Sequence, residues 1–339
     1  MTVKTGYLMS FEIKGNRIET EKCELNIVHH CNLSCRGCSH LSPRTKKFFV
    51  TPDKVFDDFS ILAKSYHPQC ISVLGGEPLL HPDLLSVVDA VRQSGISECI
   101  RVVTNGVLLW QMPDLFWQSV DQVHISLYPG HKMGVQQLKV YQRRARQYGV
   151  DLELRYVDCF REPCSELGTK DIQLIGRIYR TCKTAHLWRC HTVCEGYIFR
   201  CPQSVFIPRA LRGGSETNGV RDGLKIADRT TFGDDLLGFL LSTTPLESCR
   251  YCLGTVGRRF TPVQESQLLP RAPRSTEALV DWEYLNKIER VSDLRISSWL
   301  QIASILAKRV MARMPSAIRL HPSILLWKAA VRNIHPILK

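Results

Sequence analysis

From residue 22 to about 160, short runs rich in β-branched and aliphatic residues alternate with longer segments in which apolar positions recur every three or four residues. That alternation predicts βα units around a parallel sheet. Strands are expected over residues 24–28, 71–74, 100–104, 123–127 and 152–157, and helices over 51–66, 82–94, 114–119 and 133–148. Thr51 followed by Pro52 has the form of an N-cap with proline in the first turn. Gly95 and Gly149 fall where helix C-caps belong. The domain so defined covers residues 20–165. Beyond it the alternation fades into a cysteine-rich segment, Cys182 to Cys252, broken by a polar, glycine-containing stretch at 213–223. Residues 166–262 are therefore expected to form a small separate domain. A proline-containing linker at 262–273 leads into a helical, basic tail over 263–339. There, apolar positions at helical spacing in 296–314 and 324–331 lie beside Lys308, Arg309, Arg313, Arg319, Lys328 and Arg332.

Composition adds three constraints. At 339 residues and 44% hydrophobic content the chain can bury a large core. The first residues carry no apolar leader, and no stretch approaches the roughly 18 apolar residues of a membrane span, so a cytoplasmic protein is expected. Fourteen cysteines in that setting point to metal or redox chemistry rather than a disulfide framework. Lys and Arg outnumber Asp and Glu by 45 to 32, and the net charge of +13 favours an anionic partner. The basic tail fits peripheral contact with an anionic membrane or packing on its own domain. No nucleic-acid-binding motif is present.

The unusual motifs all sit at the carboxyl ends of predicted strands, where parallel βα folds gather their chemistry. Cys31-Asn-Leu-Ser-Cys35-Arg-Gly-Cys38 follows the first strand, Gly75-Gly76-Glu77-Pro78 the second, Thr104-Asn105-Gly106 the third, and Ser126 with Tyr128-Pro129-Gly130 the fourth. Three thiolates spaced CxxxCxxC can wrap one cluster while leaving one iron open to a substrate or cofactor. Structural zinc would need a fourth ligand, which His29, His30 or His40 can offer.

A CxxxCxxC loop after the first strand and GGEP after the second resemble the radical S-adenosylmethionine (SAM) superfamily. The resemblance covers roughly residues 20–160. It implies a partial (β/α)6 barrel, a 4Fe-4S cluster on Cys31, Cys35 and Cys38, and SAM on the open iron. Gly75, Gly76 and Glu77 would contact the methionyl amino group, with Asn105 and Ser126 near the SAM carboxylate or ribose. One position departs from the pattern. Many members carry an aromatic residue just before the third cysteine, where this chain has Gly37, which a tight loop can also demand for positive φ.

In the later segment, Cys182, thirteen residues, Gly196, four residues and Cys201 precede a CxxC formed by Cys249 and Cys252. Four such thiolates suit a fully ligated second 4Fe-4S cluster or a zinc ion. The arrangement resembles the auxiliary-cluster domain of the twitch and SPASM members of the superfamily, in the shorter, one-cluster form. Cys190 and Cys194 lie in the same run and can replace Cys182 as ligand. Alternatively, they are catalytic candidates for donating a hydrogen atom to a substrate radical. His186, Trp188, Arg189 and His191 are candidates for lining a polyol or phosphate pocket.

The resemblance implies an oxidoreductase or epimerase that abstracts hydrogen from a carbinol carbon of a sugar, aminocyclitol or glycan precursor. Its partners would be that small-molecule or glycan substrate and a reducing electron donor such as a flavodoxin or ferredoxin. The alternatives are a maturase modifying a ribosomally made peptide and a noncatalytic iron–sulfur or zinc protein. GGEP argues against the last, because a structural metal site has no use for a SAM contact.

Overall fold

A computed structural model describes residues 2–4, 10–129, 133–211, 221–264 and 272–293. The expected βα alternation is present as strands β1 (Cys23–Val28), β2 (Ile71–Gly75), β3 (Ile100–Thr104), β4 (Gln122–Leu127) and β5 (Asp151–Tyr156). They lie side by side in chain order, each parallel to the next. Every residue of β2 is buried, as a strand covered on both faces requires.

The crossover helices are α1 (Pro52–Leu62), α2 (Leu84–Gln93), α3 (Asp114–Ser119) and α4 (Val135–Tyr148). Thr51 caps α1, its hydroxyl accepting from the Lys54 N–H, and Val55, Phe59 and Leu62 turn one buried face to the sheet. Gly149 ends α4 in the left-handed conformation, φ 71°. The helix expected to reach residue 66 stops at Leu62. Tyr66 instead enters a short strand, Tyr66–Pro68, parallel to Arg17–Thr20, and its hydroxyl bonds the Thr20 hydroxyl and His191 Nδ1.

The segment expected as a small separate domain shares the main sheet. Strand β6 (Thr192–Cys194) runs parallel to β1, with Thr192 opposite Glu24 and Val193 opposite Leu25. Antiparallel strands β7 (Tyr197–Phe199) and β8 (Gly223–Lys225) extend that edge. The order is β8-β7-β6-β1-β2-β3-β4-β5, so six parallel strands make up the α/β core. Backbone pairing of β6 on the open edge of β1 satisfies groups that a free edge would leave to solvent. It also draws residues 166–262 into one compact unit, Met1–Asp281.

A second unit begins at Trp282, and its described part is the helix Trp282–Asp293. The basic positions from Lys308 to Arg332 lie outside the described residues. Among the described residues no helix is long and apolar enough to cross a membrane. Cys70 and Cys99 are disulfide-bonded to each other just ahead of β2 and β3.

Candidate active site

Strand β1 ends at Val28, and the chain turns through Cys31, Cys35 and Cys38 at the carboxyl end of the sheet. The loop is pinned from beneath by the end of β2. Gly76 N–H donates to the Val28 carbonyl at 2.7 Å, and Glu77 N–H to the His30 carbonyl at 3.1 Å. A Cβ on Gly76 would lie 2.0 Å from the His30 oxygen, and one on Gly75, at φ +149°, 2.1 Å from the Val28 oxygen. The two glycines are thus needed for backbone to approach backbone. Gly76→Ala is expected to destabilise the full chain by about 2 kcal/mol in a denaturant titration. A variant as stable as the parent would show that this approach is not a rigid constraint.

Glu77 is fully buried and organises the neighbouring strand end. Oε1 accepts from the Thr104 hydroxyl at 2.6 Å and the Leu79 N–H at 3.1 Å, and Oε2 accepts from the Asn105 N–H at 2.9 Å. Burial raises its carboxyl to about 7, and these hydrogen bonds offset part of that rise. Asn105, so held, donates from Nδ2 to Asn32 Oδ1 at 2.7 Å and towards Cys31 Sγ at 3.7 Å. The motifs ending β1, β2 and β3 therefore form one bonded unit.

Three thiols in one loop, with N–H donors aimed at two of the sulfurs, fit an iron–sulfur cluster. Besides Asn105, the Leu33 N–H approaches Cys31 Sγ at 3.4 Å and Gln264 Nε2 approaches Cys35 Sγ at 2.9 Å. Burial pushes the free Cys31 thiol up to about 12 and raises Cys35 as well. Ligation would have to replace those protons with metal. His29, one of the alternative zinc ligands, turns instead to Cys194, its Nε2 lying 3.5 Å from that sulfur. His30 and His40 pack edge-on against Phe49 and Phe206.

Gln264 has no counterpart in the motif reading. It lies 229 positions beyond Cys35, and the segment bearing it pairs with the cluster loop. Ser34 N–H donates to Gln264 Oε1 at 3.1 Å and Arg36 N–H to the Val263 carbonyl at 3.0 Å. The same segment brings in Phe260, whose ring would stand 2.3 Å from a Cβ on Gly37, a residue at φ +66°. Gly37 thus satisfies both a turn and a packing requirement, and the aromatic group beside the third cysteine comes from elsewhere in the chain. Phe260 meets Phe160 edge-on, and Phe160 meets Tyr128. Tyr128 is hydrogen-bonded to Ser126, and its hydroxyl is raised by burial and by the nearby Cys38, Cys35 and Cys31.

A second group of thiols gathers away from the loop. Cys182 precedes the short helix Lys183–His186, Cys201 follows β7, and Cys249 and Cys252 flank the end of a helical turn, Glu247–Arg250. Burial pushes Cys201 up to about 12 and Cys249 and Cys252 upward, and each of the three also feels Cys182. Beside them Arg200 is buried, donating to the Tyr179 hydroxyl and to the Ser242 and Thr244 carbonyls, while its Nε has no partner. The Gly254 N–H donates to Cys252 Sγ at 3.2 Å.

Cys190 and Cys194 lie elsewhere. Cys190 is buried against Glu24 and Lys22, at the opposite end of β1 from Cys31. Cys194 is buried against His29. His191 and Arg189 sit with Phe11 and, for His191, Tyr66 at that same far end. His186 bonds the Tyr179 carbonyl rather than any group of the cluster loop, and Trp188 is exposed.

A family model described as the radical SAM superfamily matches residues 25–157. A probable GTP 3′,8-cyclase of Sulfurisphaera tokodaii is 30% identical over 115 residues, 32% of this chain and 34% of that protein. Another, of Methanocaldococcus jannaschii, is 28% identical over 116 residues, 32% of this chain and 37% of that protein. The chain thus spans about a third of the length of these curated relatives. Among solved structures, BtrN in complex with AdoMet and 2-DOIA aligns with a TM-score of 0.37 at 17% identity, covering 54% of this chain and 73% of that one. Histidine-tagged anSMEcpe with bound AdoMet aligns with a TM-score of 0.41 at 13% identity, covering 82% of this chain and 97% of that one. With the cysteine loop, the GGEP segment and the parallel strand order in agreement with the matched family, residues 25–157 form a radical SAM domain.

Proposed function

We propose that this radical SAM enzyme oxidises or epimerises a carbinol carbon of a sugar, aminocyclitol or glycan precursor, using a second 4Fe-4S cluster held by Cys182, Cys201, Cys249 and Cys252. The observation that carries the reading is the convergence of those four thiols from segments up to 70 positions apart in the chain, beside Tyr179 and the buried cation Arg200. A cluster with four thiolates is anionic, and a buried guanidinium with a free N–H supplies both countercharge and a donor.

A 4Fe-4S cluster with SAM, when bound at the first site, supplies an electron and a carbon radical able to remove a substrate hydrogen atom. The protein's part is orientation and exclusion of water. Cys31, Cys35 and Cys38 would hold the cluster, with Asn105 and Gln264 fixing two of the sulfurs through N–H donors. Glu77 keeps the ends of β2 and β3 in register with the loop. Phe260, Phe160 and Tyr128 wall one side with aromatic rings. The second thiol group gives an oxidation its electron acceptor, whereas epimerisation needs a thiol to return hydrogen. Cys194, buried against His29 at the loop end of β1, and Cys190, at the opposite end of that strand, are the proposed donors.

The test is to reduce the reconstituted full chain with SAM and carbinol-deuterated aminocyclitols and sugars. Deuterium in the 5′-deoxyadenosine, with a ketone or inverted alcohol as product, is the expected result. 5′-Deoxyadenosine formation with no deuterium from any carbinol position would refute the substrate class while leaving the family membership intact.

A further inference from the structure

Beside the cluster loop lies a cavity of about 720 Å³, counting its open mouth, whose wall includes Cys35, Cys38 and Cys164 together with Arg36, Arg44, Arg274, Glu162 and Glu166. Three guanidiniums here face two carboxylates. A single oxygen, Glu162 Oε1, accepts from both Arg36 at 3.1 Å and Arg274 at 3.0 Å, while Glu166 Oε1 accepts from Arg44 at 3.0 Å. The imbalance leaves Arg36 Nε buried with no partner.

The arginines are not equivalent. Arg36 is fixed, stacked 4.7 Å over the Phe260 ring and hydrogen-bonded to the mostly buried Glu162. Arg44 and Arg274 keep 42% and 41% of their side-chain surface exposed, so water and solutes reach them. Exposed ion pairs of this kind are worth little and exchange readily, whereas an oxyanion accepting from two guanidiniums gains charge-assisted and bidentate hydrogen bonds.

We propose that this cavity anchors the substrate of the radical reaction by an oxyanion, phosphate or carboxylate, which displaces Glu166 from Arg44 and Glu162 from Arg274. A molecule so anchored shares one cavity with the cluster thiols Cys35 and Cys38. The inference rests on the functional reading above for the anchored molecule's being a substrate, and on the cavity alone for its being an anion. It accounts for three arginines lining a cavity that also holds Cys35 and Cys38.

The experiment is calorimetric titration of the reconstituted full chain with inorganic phosphate and, separately, with malonate, at low ionic strength. At least one of the two should bind, and binding should weaken as sodium chloride is added. Phosphate alone assigns a phosphorylated substrate, and malonate alone a carboxylate. Arg44→Ala with Arg274→Ala should weaken the bound anion at least tenfold. Glu166→Gln, which removes the internal competitor while keeping its size, should tighten it several-fold, and this second variant keeps the test sharp should the double variant fail to fold. No binding of either anion to the parent chain at millimolar concentration overturns the inference, as does unchanged affinity in Glu166→Gln. Wild-type chain that makes 5′-deoxyadenosine without binding an anion sinks the anion site alone. Anion binding with no 5′-deoxyadenosine from reduced enzyme and SAM sinks the functional reading instead.

Discussion

Replacing Cys35 with alanine is expected to abolish 5′-deoxyadenosine formation and to remove about four irons per chain. Three thiolates are the minimum that can hold a cluster while leaving one iron open, so losing one removes the site's chemistry rather than tuning it. Cys35 is the informative choice because it is tied into the loop by more than its sulfur. Its backbone bridges Gln264, and the carboxamide of that residue spans the Ser34 N–H and the Cys35 sulfur. The pairing of the loop with the downstream segment runs largely through backbone and Gln264, and a small side chain at position 35 leaves those bonds available. The variant should therefore keep the parent's circular dichroism and its second set of thiols while losing SAM cleavage by at least about a hundredfold. Cleavage at the parent rate would refute the assignment of Cys35 as a ligand. Gln264→Leu makes a graded companion, since it removes the donor to the sulfur and leaves the ligand.

The strands of the core and the cysteine loop were legible in the chain because each depends on local signals. Alternating runs mark β1 to β5, Thr51-Pro52 marks the start of α1, and Gly149 marks the end of α4. The radical SAM motifs carry their own context, a strand before and a turn after, so their meeting at one end of the sheet follows from parallel topology. What escaped the sequence is long-range. Nothing in residues 259–264 announces that this stretch lies along the loop at 34–37, because backbone pairing imposes almost no residue preference. Gly37 was readable only as an exception, and its meaning depends on a ring 223 positions later. The register of β6 on β1 decides a further case. With Thr192 opposite Glu24, Cys190 must lie towards the start of β1, whereas the cluster loop leaves from its end. Cys190 and Cys194 are four residues apart and look equivalent in sequence, yet the strand between them separates their surroundings.

Changing Cys249 and Cys252 together to alanine is expected to lower the iron content by about four atoms per chain while sparing the first cluster's response to SAM. The two residues sit at the end of one helical turn. Both thiols are raised by burial first, and each then feels the charges of its neighbours Cys201 and Cys182. Tyr179 lies between the four-thiol group and Arg200, a buried cation whose present hydrogen-bond partners are that phenol and two carbonyls, none of them charged. A guanidinium so placed costs desolvation that neutral acceptors only partly offset. An anionic cluster on the four sulfurs resolves that imbalance, and removing two ligands restores it. The double variant should thus lose thermal stability as well as iron, and Arg200→Met in the same background should recover part of the stability, because it removes the uncompensated charge. For the reaction, loss of the second cluster should halt net oxidation of substrate after hydrogen abstraction, leaving 5′-deoxyadenosine as the product that still accumulates. Iron at the parental level in the double variant would eliminate the second cluster and its role as electron acceptor. Zinc at one atom per chain, lost on the same substitutions, would leave the four-thiol site in place but make it structural.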